Sequence, residues 1–299
     1  MRSIIFYLLV SIITIGCRQN KEIIALQKSA EQGNAEAQFE LARRYFYGED
    51  LTQSYEKAFY WFEKAAIQNY VKAQNTLGAC YMEGLGVKQD YAKATELFLK
   101  AAEQGNSDAQ ANLGNCFSEG YGVEQSYGKA NYWYEKAAIQ GNPEAQYGLG
   151  VNTEKGWGIE QSYEKANYWY LKAAKQNHLG AQYFLGFNYS KSLGVEQSYE
   201  KAVYWWRKSA EQGNDKAQYS LGVSYQLGEG IEQSYEKAVY WWQKSAEQGN
   251  AMAQYNLGMC YRKGDGVEQS HEKAAYWFRK ACENGQEDAC EMFKNKKKR

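Results

Sequence analysis

The sequence is poor in residues on which particular functions depend. It contains a single proline, Pro143, and only two histidines, His178 and His271. The histidines stand in unrelated positions and no Cys-x-x-Cys occurs, so a zinc site or a histidine-dependent catalytic triad has little support. We interpret both histidines as surface variants. Basic and acidic residues number 35 each, which leaves no net field to attract nucleic acid or an anionic membrane. We therefore expect no metal, no cofactor and no nucleic-acid partner.

Long hydrophobic runs are also missing. The apolar stretch Ile4–Ile15 falls short of the roughly 20 residues that a membrane-spanning helix needs. With a positive charge before it and a small residue after it, residues 1–17 are typical of an export signal. Thr14-Ile15-Gly16-Cys17 resembles a bacterial lipobox, in which the cysteine is lipidated and becomes the mature N-terminus. Lipidation of Cys17 predicts a periplasmic or cell-envelope lipoprotein whose lipid is its sole membrane contact. Simple cleavage, giving a secreted protein, or retention of the signal is the alternative.

What the sequence has in excess is repetition. The pair Ala-Gln recurs every 36 residues from Ala37, and a variant, Ala289-Cys290, follows the seventh occurrence. Seven repeats without an insertion therefore run from 37 to 288. Residues 18–36 fit a capping half-repeat, and residues 289–299 fit a C-terminal cap with a basic tail. We interpret the tail as a solvated end, with a localisation or lipid-contact signal as the alternative.

Each repeat predicts two helices joined by a turn. In the first helix, apolar residues at helical spacing form a buried face, with a leucine that is followed by glycine in six of seven repeats. Glycine costs a helix up to about 1 kcal/mol relative to alanine, so we expect another backbone to approach closely there. Gly-x-Gly then ends the helix, because glycine accepts the left-handed conformation after a C-cap.

The second helix of each repeat begins after a capping residue, which is usually serine and is Asp90 in one repeat. An alanine recurs on its predicted buried face. A tryptophan follows three residues later in every repeat except one, where Leu97 stands, and we expect it to share that face. Helical pairs of this length cannot bury their own apolar sides, so stacked neighbours must share one continuous core.

The motifs Leu-Gly-x-x-Tyr, Gly-x-Gly-Val and Lys-Ala-x-x-Trp-x-x-Lys resemble the Sel1-like repeat family, relatives of tetratricopeptide repeats, over residues 21–293. The resemblance implies an all-α fold, a right-handed α/α superhelical solenoid whose first helices line a concave surface. It also implies a common role as an adaptor that binds proteins or peptides. Three positions depart from the pattern: Asp50 and Ser192 interrupt Gly-x-Gly, and Thr153 replaces the usual tyrosine.

The cysteines divide into groups. Cys80, Cys116 and Cys260 occupy the same place in their repeats, on the alanine–leucine face, which favours small core residues. Neighbouring helices lie about 8–10 Å apart, so Cys80 and Cys116 exceed the roughly 7 Å Cα limit for a disulfide. The cysteine-rich secreted branch of the family bridges an eight-residue interval. By that resemblance, Cys282 and Cys290 form a disulfide that staples the C-terminal cap in an oxidising compartment.

Two motifs resemble catalytic or cofactor sites. The Gly-x-Gly turns follow a helix and lack a third glycine, unlike dinucleotide-binding loops. Ser-x-x-Lys, the nucleophile motif of penicillin-recognising enzymes, occurs six times without a Lys-Thr-Gly or Ser-Asp-Asn partner, so its serines are better explained as helix caps. We therefore expect no catalytic residues. Weak β-lactam-binding or β-lactamase-like activity, by resemblance to the secreted branch, is the alternative to a non-enzymatic scaffold.

A comparison of the seven repeats with one another separates constant positions from variable ones. Two places in the first helix vary most, and they share a face with a third that is tyrosine in the last four repeats. We expect this face to look into the groove, with Phe184 and Phe187 as aromatic anchors and Asn112 and Asn115 as main-chain readers. An unconstrained surface is the alternative. The predicted residues that bind a protein or peptide partner are Asn112, Asn115, Tyr147, Tyr183, Phe184, Phe187, Tyr219, Tyr255 and Met259.

Overall fold

The structure, a computed structural model, describes residues 21–294. This range contains sixteen helices and no strand, which confirms the all-α prediction. The predicted export signal with Cys17 and the last five residues of the basic tail lie outside the described residues. The helices are residues 21–31 (α1), Ala35–Tyr47 (α2), Tyr55–Ile67 (α3), Val71–Glu83 (α4), Tyr91–Glu103 (α5), Ser107–Glu119 (α6), Tyr127–Ile139 (α7), Pro143–Lys155 (α8), Tyr163–Lys175 (α9), Leu179–Lys191 (α10), Tyr199–Glu211 (α11), Asp215–Leu227 (α12), Tyr235–Glu247 (α13), Ala251–Lys263 (α14), His271–Glu283 (α15) and Glu287–Lys294 (α16).

The helices form seven repeats within two compact units. The first repeat contains α2 and α3, and each following repeat contains the next two helices. Within the described residues, the first compact unit ends at Asn142 and the second begins at Pro143. From α2 to α7 in the first unit, and from α8 to α16 in the second, each helix packs against the next one along the chain. This packing of successive neighbours is that of a solenoid of repeats.

Helix ends follow the predicted capping chemistry. The seven second helices, α3 to α15, each begin after a serine or Asp90 whose side-chain oxygen accepts a backbone N–H bond of 3.1–3.4 Å from a lysine three residues on. The turns after the first helices keep their left-handed conformation where another residue replaces glycine. Asp50 and Ser192 adopt left-handed φ values of 59° and 57°. Thr153, the third departure, is buried and its hydroxyl donates to the Leu149 carbonyl at 2.7 Å.

The glycine after the recurring leucine faces an aromatic ring. A Cβ added to Gly78 would lie 2.7 Å from a ring carbon of Phe98, and one added to Gly222 would lie 2.5 Å from Trp242. The predicted close approach of another backbone was therefore wrong as the main reason for this glycine. The ring belongs to the second helix of the same repeat, twenty residues on. The six pairs are Gly78–Phe98, Gly114–Tyr134, Gly150–Tyr170, Gly186–Trp206, Gly222–Trp242 and Gly258–Phe278.

The buried aromatic residue of each second helix is the one that follows the recurring tryptophan. Ala58 and Phe62 are buried, whereas Trp61 between them is only half-buried. The recurring tryptophan therefore lies at the edge of the alanine face, and the aromatic residue after it lies at the centre. At 3.6 residues per turn, a residue four positions on is rotated about 40° from the alanine, and one three positions on about 60° to the other side. Trp61 packs both against the cluster that contains Phe62 and against the cluster that contains Ala30 and Leu41 of the preceding helices.

The cysteines confirm the predicted division. Cys282 and Cys290 form a disulfide between α15 and α16, with their Cα atoms 4.8 Å apart. Cys80, Cys116 and Cys260 are buried and free. Burial raises the pKa of the Cys80 thiol to about 11, so the reactive thiolate is scarce at neutral pH. These three cysteines therefore act as small core residues.

Candidate functional site

The variable face consists of the first-helix positions that differ between repeats, and in the first compact unit it presents two asparagines on α6. Asn112 and Asn115 line a cavity of about 420 Å³ together with side chains of α4 and α5. The Asn112 amide nitrogen donates to the Asn75 side-chain oxygen at 3.0 Å. The Asn115 side-chain oxygen accepts from the Tyr134 hydroxyl at 2.7 Å.

Each of these two amides has one atom engaged and one atom free. Among the described residues, no hydrogen-bond partner meets the Asn112 oxygen or the Asn115 nitrogen. The two side chains lie three residues apart on one helix, so they share a face. An acceptor and a donor at this spacing can pair with a peptide N–H and a peptide C=O, each of which needs a partner when it leaves water. The geometry thus suits main-chain recognition.

In the second compact unit, the two predicted anchors lie in different environments. The Phe184 ring stacks on Tyr170 with centroids 5.4 Å apart, and it also contacts Tyr147 at 6.1 Å and Tyr183 at 5.4 Å. Phe184 is therefore half-buried within a cluster of rings. Phe187, one turn further along α10, is 36% exposed. Of the two phenylalanines, Phe187 is the one with free surface to offer a partner.

The remaining predicted residues on this unit are half-buried. Tyr183 and Tyr219 pack against the large core cluster around Trp206 and Trp242, so burial raises the pKa of both phenols. The other two, Tyr255 and Met259, pack against the C-terminal cluster around Phe278.

Successive first helices place their variable faces side by side. A residue on one helix meets the residue 37 positions later on the next, within each compact unit. The observed pairs are Asn75–Asn112, Tyr147–Phe184 and Tyr219–Asn256. Of the nine predicted partner-binding residues, Asn112 and Asn115 belong to the first compact unit and the other seven to the second.

A polar contact that the sequence pattern did not predict lies beside the ring cluster. His178 is the N-cap of α10, where its Nδ1 accepts the Ala181 N–H at 3.1 Å and its Nε2 lies 3.2 Å from a Glu144 carboxylate oxygen. The imidazole stacks on Tyr147 with centroids 4.4 Å apart, and the His178 side chain is only 11% exposed. Its interpretation as a surface variant was therefore wrong. The hydrogen bond from His178 lowers the pKa of Glu144. The position of His178 could have indicated a helix cap, because asparagine, a preferred N-cap residue, occupies the equivalent position in four other repeats.

The repeated Ser-x-x-Lys motif forms a structural contact. Ser54 Oγ accepts the Lys57 backbone N–H, and the Lys57 ammonium lies over the Tyr45 ring, 5.2 Å from its centroid. The same cation–π contact recurs in five other repeats. The serine hydroxyl thus acts as a helix cap, and the lysine lies over an aromatic ring of the preceding helix.

Two further properties concern residues 21–294 only. Within this range, no cluster of three or more histidine, cysteine or acidic side chains could hold a metal ion. No helix there combines the length and the apolarity that crossing a membrane requires.

Comparisons with known proteins agree with the repeat pattern. The model of the Sel1 repeat matches residues 35–70, 71–106, 107–142, 143–178, 180–214, 215–250 and 251–286. Six of these matches begin two residues before the start expected from the sequence, and the fifth begins one residue before it. The chain is 38% identical to c5321, described as a protective antigen present in uropathogenic Escherichia coli strains and displaying an SLR fold. The TM-score is 0.82, over 91% of this chain and 58% of that one.

A Sel1 repeat protein from Oxalobacter formigenes is 33% identical, with a TM-score of 0.74 over 94% of this chain and 81% of that chain. The present chain spans 58% of the length of the Escherichia coli protein, which is less than two thirds. It has no match among the curated proteins. Because seven matched repeats cover most of its length and two solved structures share its fold at 33% identity or more, the chain belongs to the Sel1 repeat family.

Proposed function

We propose that the protein is an exported, non-enzymatic scaffold that binds an extended segment of a protein or peptide through the variable face of its first helices. The observation that carries the proposal is the pair of half-engaged amides, Asn112 and Asn115, at the 420 Å³ cavity. An extended segment presents main-chain N–H and C=O groups that match a free acceptor and a free donor. Such pairing gives affinity, while neighbouring pockets give side-chain specificity.

The chemistry of the cavity wall supports a peptide as the ligand. Met82 and Tyr121 supply apolar surface, and Glu83 and Gln89 supply polar groups. Binding sites in proteins are commonly apolar clefts with a few placed polar groups. The repeated Ser–Lys motif offers no comparable site, because its serines cap helices and its lysines lie over aromatic rings. The proposal therefore assigns binding to residues that break the repeat.

The experiment compares affinity for a partner captured from a cell-envelope extract by the immobilised protein and identified by mass spectrometry. Asn115→Asp removes the free amide donor and retains the oxygen that accepts from Tyr134. We expect it to weaken binding of the purified partner at least about tenfold, equivalent to about 1.4 kcal/mol. Gln32→Glu, an exposed site on the turn after α1, introduces the same charge change and should leave affinity unchanged.

A parallel variant tests the second compact unit. Phe187→Ala should also weaken binding about tenfold, because interface hot spots favour large exposed aromatic residues. Helical content should stay unchanged in both variants by far-ultraviolet circular dichroism. Wild-type affinity in both Asn115→Asp and Phe187→Ala would show that the partner binds elsewhere.

Export is the second part of the proposal, and three observations support it. The first 17 residues have the pattern of an export signal, and the Cys282–Cys290 disulfide suits an oxidising compartment. The similar Escherichia coli protein is described as a protective antigen, which suits exposure outside the cytoplasm.

We expect lipidation at Cys17. Metabolic labelling with a palmitate analogue should mark the wild type and not Cys17→Ser, and equal labelling of both would refute lipidation at this residue.

A further inference from the structure

The second repeat lacks the tryptophan that the second helix of every other repeat carries three residues after its recurring alanine. Leu97 stands at this position, and Glu96 stands where the other repeats have tyrosine before the tryptophan. In those repeats the tyrosine ring meets the tryptophan ring edge-on, with centroids 4.9–5.1 Å apart. The six tryptophans are Trp61, Trp133, Trp169, Trp205, Trp241 and Trp277.

The surroundings of these tryptophans define where an indole fits. In the first repeat, Trp61 packs against the core cluster that contains Ala30 and Leu41, beside Tyr45. In the third repeat, Trp133 packs in the same way against the cluster that contains Ala102 and Leu113. The indole thus packs against a cluster that contains an alanine of the preceding helix and the leucine of its own first helix.

In the second repeat, Leu97 packs against the equivalent cluster, but it is smaller than an indole and leaves part of the place open. Ala66, Leu77 and Tyr81 are the residues 36 positions after Ala30, Leu41 and Tyr45, and together with Leu97 they line a cleft of about 350 Å³ in the first compact unit. This volume lies in the usual range for ligand-binding pockets, about 300–1,000 Å³. The cleft has the alanine, leucine and aromatic surface that receives an indole elsewhere in the chain.

Charged groups surround this apolar floor. Lys100 pairs with Glu96 at 2.6 Å, and both side chains are more than half exposed. The Lys93 ammonium lies 5.2 Å from the centroid of the Tyr81 ring. An occupant that combines a flat apolar body with a polar edge suits this cleft, and the indole of tryptophan has both.

We propose that this cleft is a docking site for a tryptophan side chain of a partner protein. The chain's own six indoles, held at equivalent places, identify the chemistry of the occupant. Because the exposed Glu96 and Lys100 lie at the mouth, the main chain that carries the tryptophan can run across the surface outside the cleft. The site is formed by α3, α4 and α5 and uses none of the nine partner-binding residues of the variable face, so it is independent of the proposed function.

The experiment titrates the full chain with N-acetyl-5-fluorotryptophan amide and follows the fluorine NMR signal. We expect saturable binding to the wild type. Leu97→Trp should weaken that binding at least about tenfold, because the chain's own indole then fills the cleft. N-acetylleucine amide should not displace the probe. Circular dichroism checks that the variant keeps its helical content.

The matched control removes the tryptophan of the third repeat, so that a cleft equivalent to the one beside Leu97 opens there. Trp133→Leu should create a second site, raising the stoichiometry from one probe to two, and this result does not depend on the folding of Leu97→Trp. Absence of saturable binding to the wild type, undiminished binding by Leu97→Trp, or an unchanged stoichiometry in Trp133→Leu would each overturn the proposal. Tighter binding of free 5-fluoroindole than of the amide would also overturn it, because the occupant would then be a small molecule.

Discussion

Replacing Leu185 with alanine is expected to lower the free energy of unfolding by about 2–5 kcal/mol. Leu185 is 2% exposed and belongs to a core cluster with Ala166, Tyr170 and Ala181. Truncation removes buried methyl groups and leaves a cavity, because the tightly packed neighbours collapse only in part. Urea denaturation followed by far-ultraviolet circular dichroism measures the effect.

Phe187, two residues further along the same helix, provides the control. Its ring is 36% exposed and lies outside the core clusters of the described residues, so Phe187→Ala should change stability by no more than about 0.5 kcal/mol. Phe184 is unsuitable as a control, since its ring stacks on Tyr170. A loss for Phe187→Ala equal to that for Leu185→Ala would show that the face of α10 assigned to solvent is part of the core.

Gly222→Ala should destabilise the protein by about 1–3 kcal/mol, although alanine is the better helix former. The added Cβ would lie 2.5 Å from the Trp242 ring, and Trp242 is fully buried, so neither group can move away freely. Gly128→Ala is the matched control: this helical glycine has no atom within 4 Å of an added Cβ. There the same change should stabilise the chain by up to about 1 kcal/mol. Thermal denaturation should show a lower melting temperature for Gly222→Ala and a higher one for Gly128→Ala than for the wild type.

A phenylalanine at position 242 should reduce the clash if its ring shifts, since a Cβ added to Gly78 or Gly258 would still lie 2.7 or 2.6 Å from the phenylalanine ring of the same repeat. The first repeat has Ala42 and Phe62 at the equivalent positions, both in one core cluster, which shows that alanine and phenylalanine fit together there. Gly222→Ala should therefore be less destabilising in a Trp242→Phe background than in the wild type, and a double-mutant cycle measures the difference. Equal losses in both backgrounds would mean that the ring contact does not explain the glycine.

The elements of this fold could be predicted from the sequence because they depend on near neighbours. The serine caps, the glycine turns and the spacing of alanine and leucine all act within a few residues. The repetition of these signals at 36 residues also predicted the number of helical pairs. The exposure of the variable face was harder to predict, since Phe184 and Phe187 share a pattern yet one is stacked and the other is exposed.

By itself, the sequence determined where helices begin and end, how many repeats follow one another and, through its family resemblance, which cysteines are bonded. The tertiary structure alone decided what each side chain meets. It placed the ring of Trp242 against Gly222, turned Trp61 towards the preceding helices and left the cleft beside Leu97 open. The reason is physical: caps and turns are local, whereas these contacts join residues twenty or more positions apart, and they depend on how neighbouring helices fill the space between them.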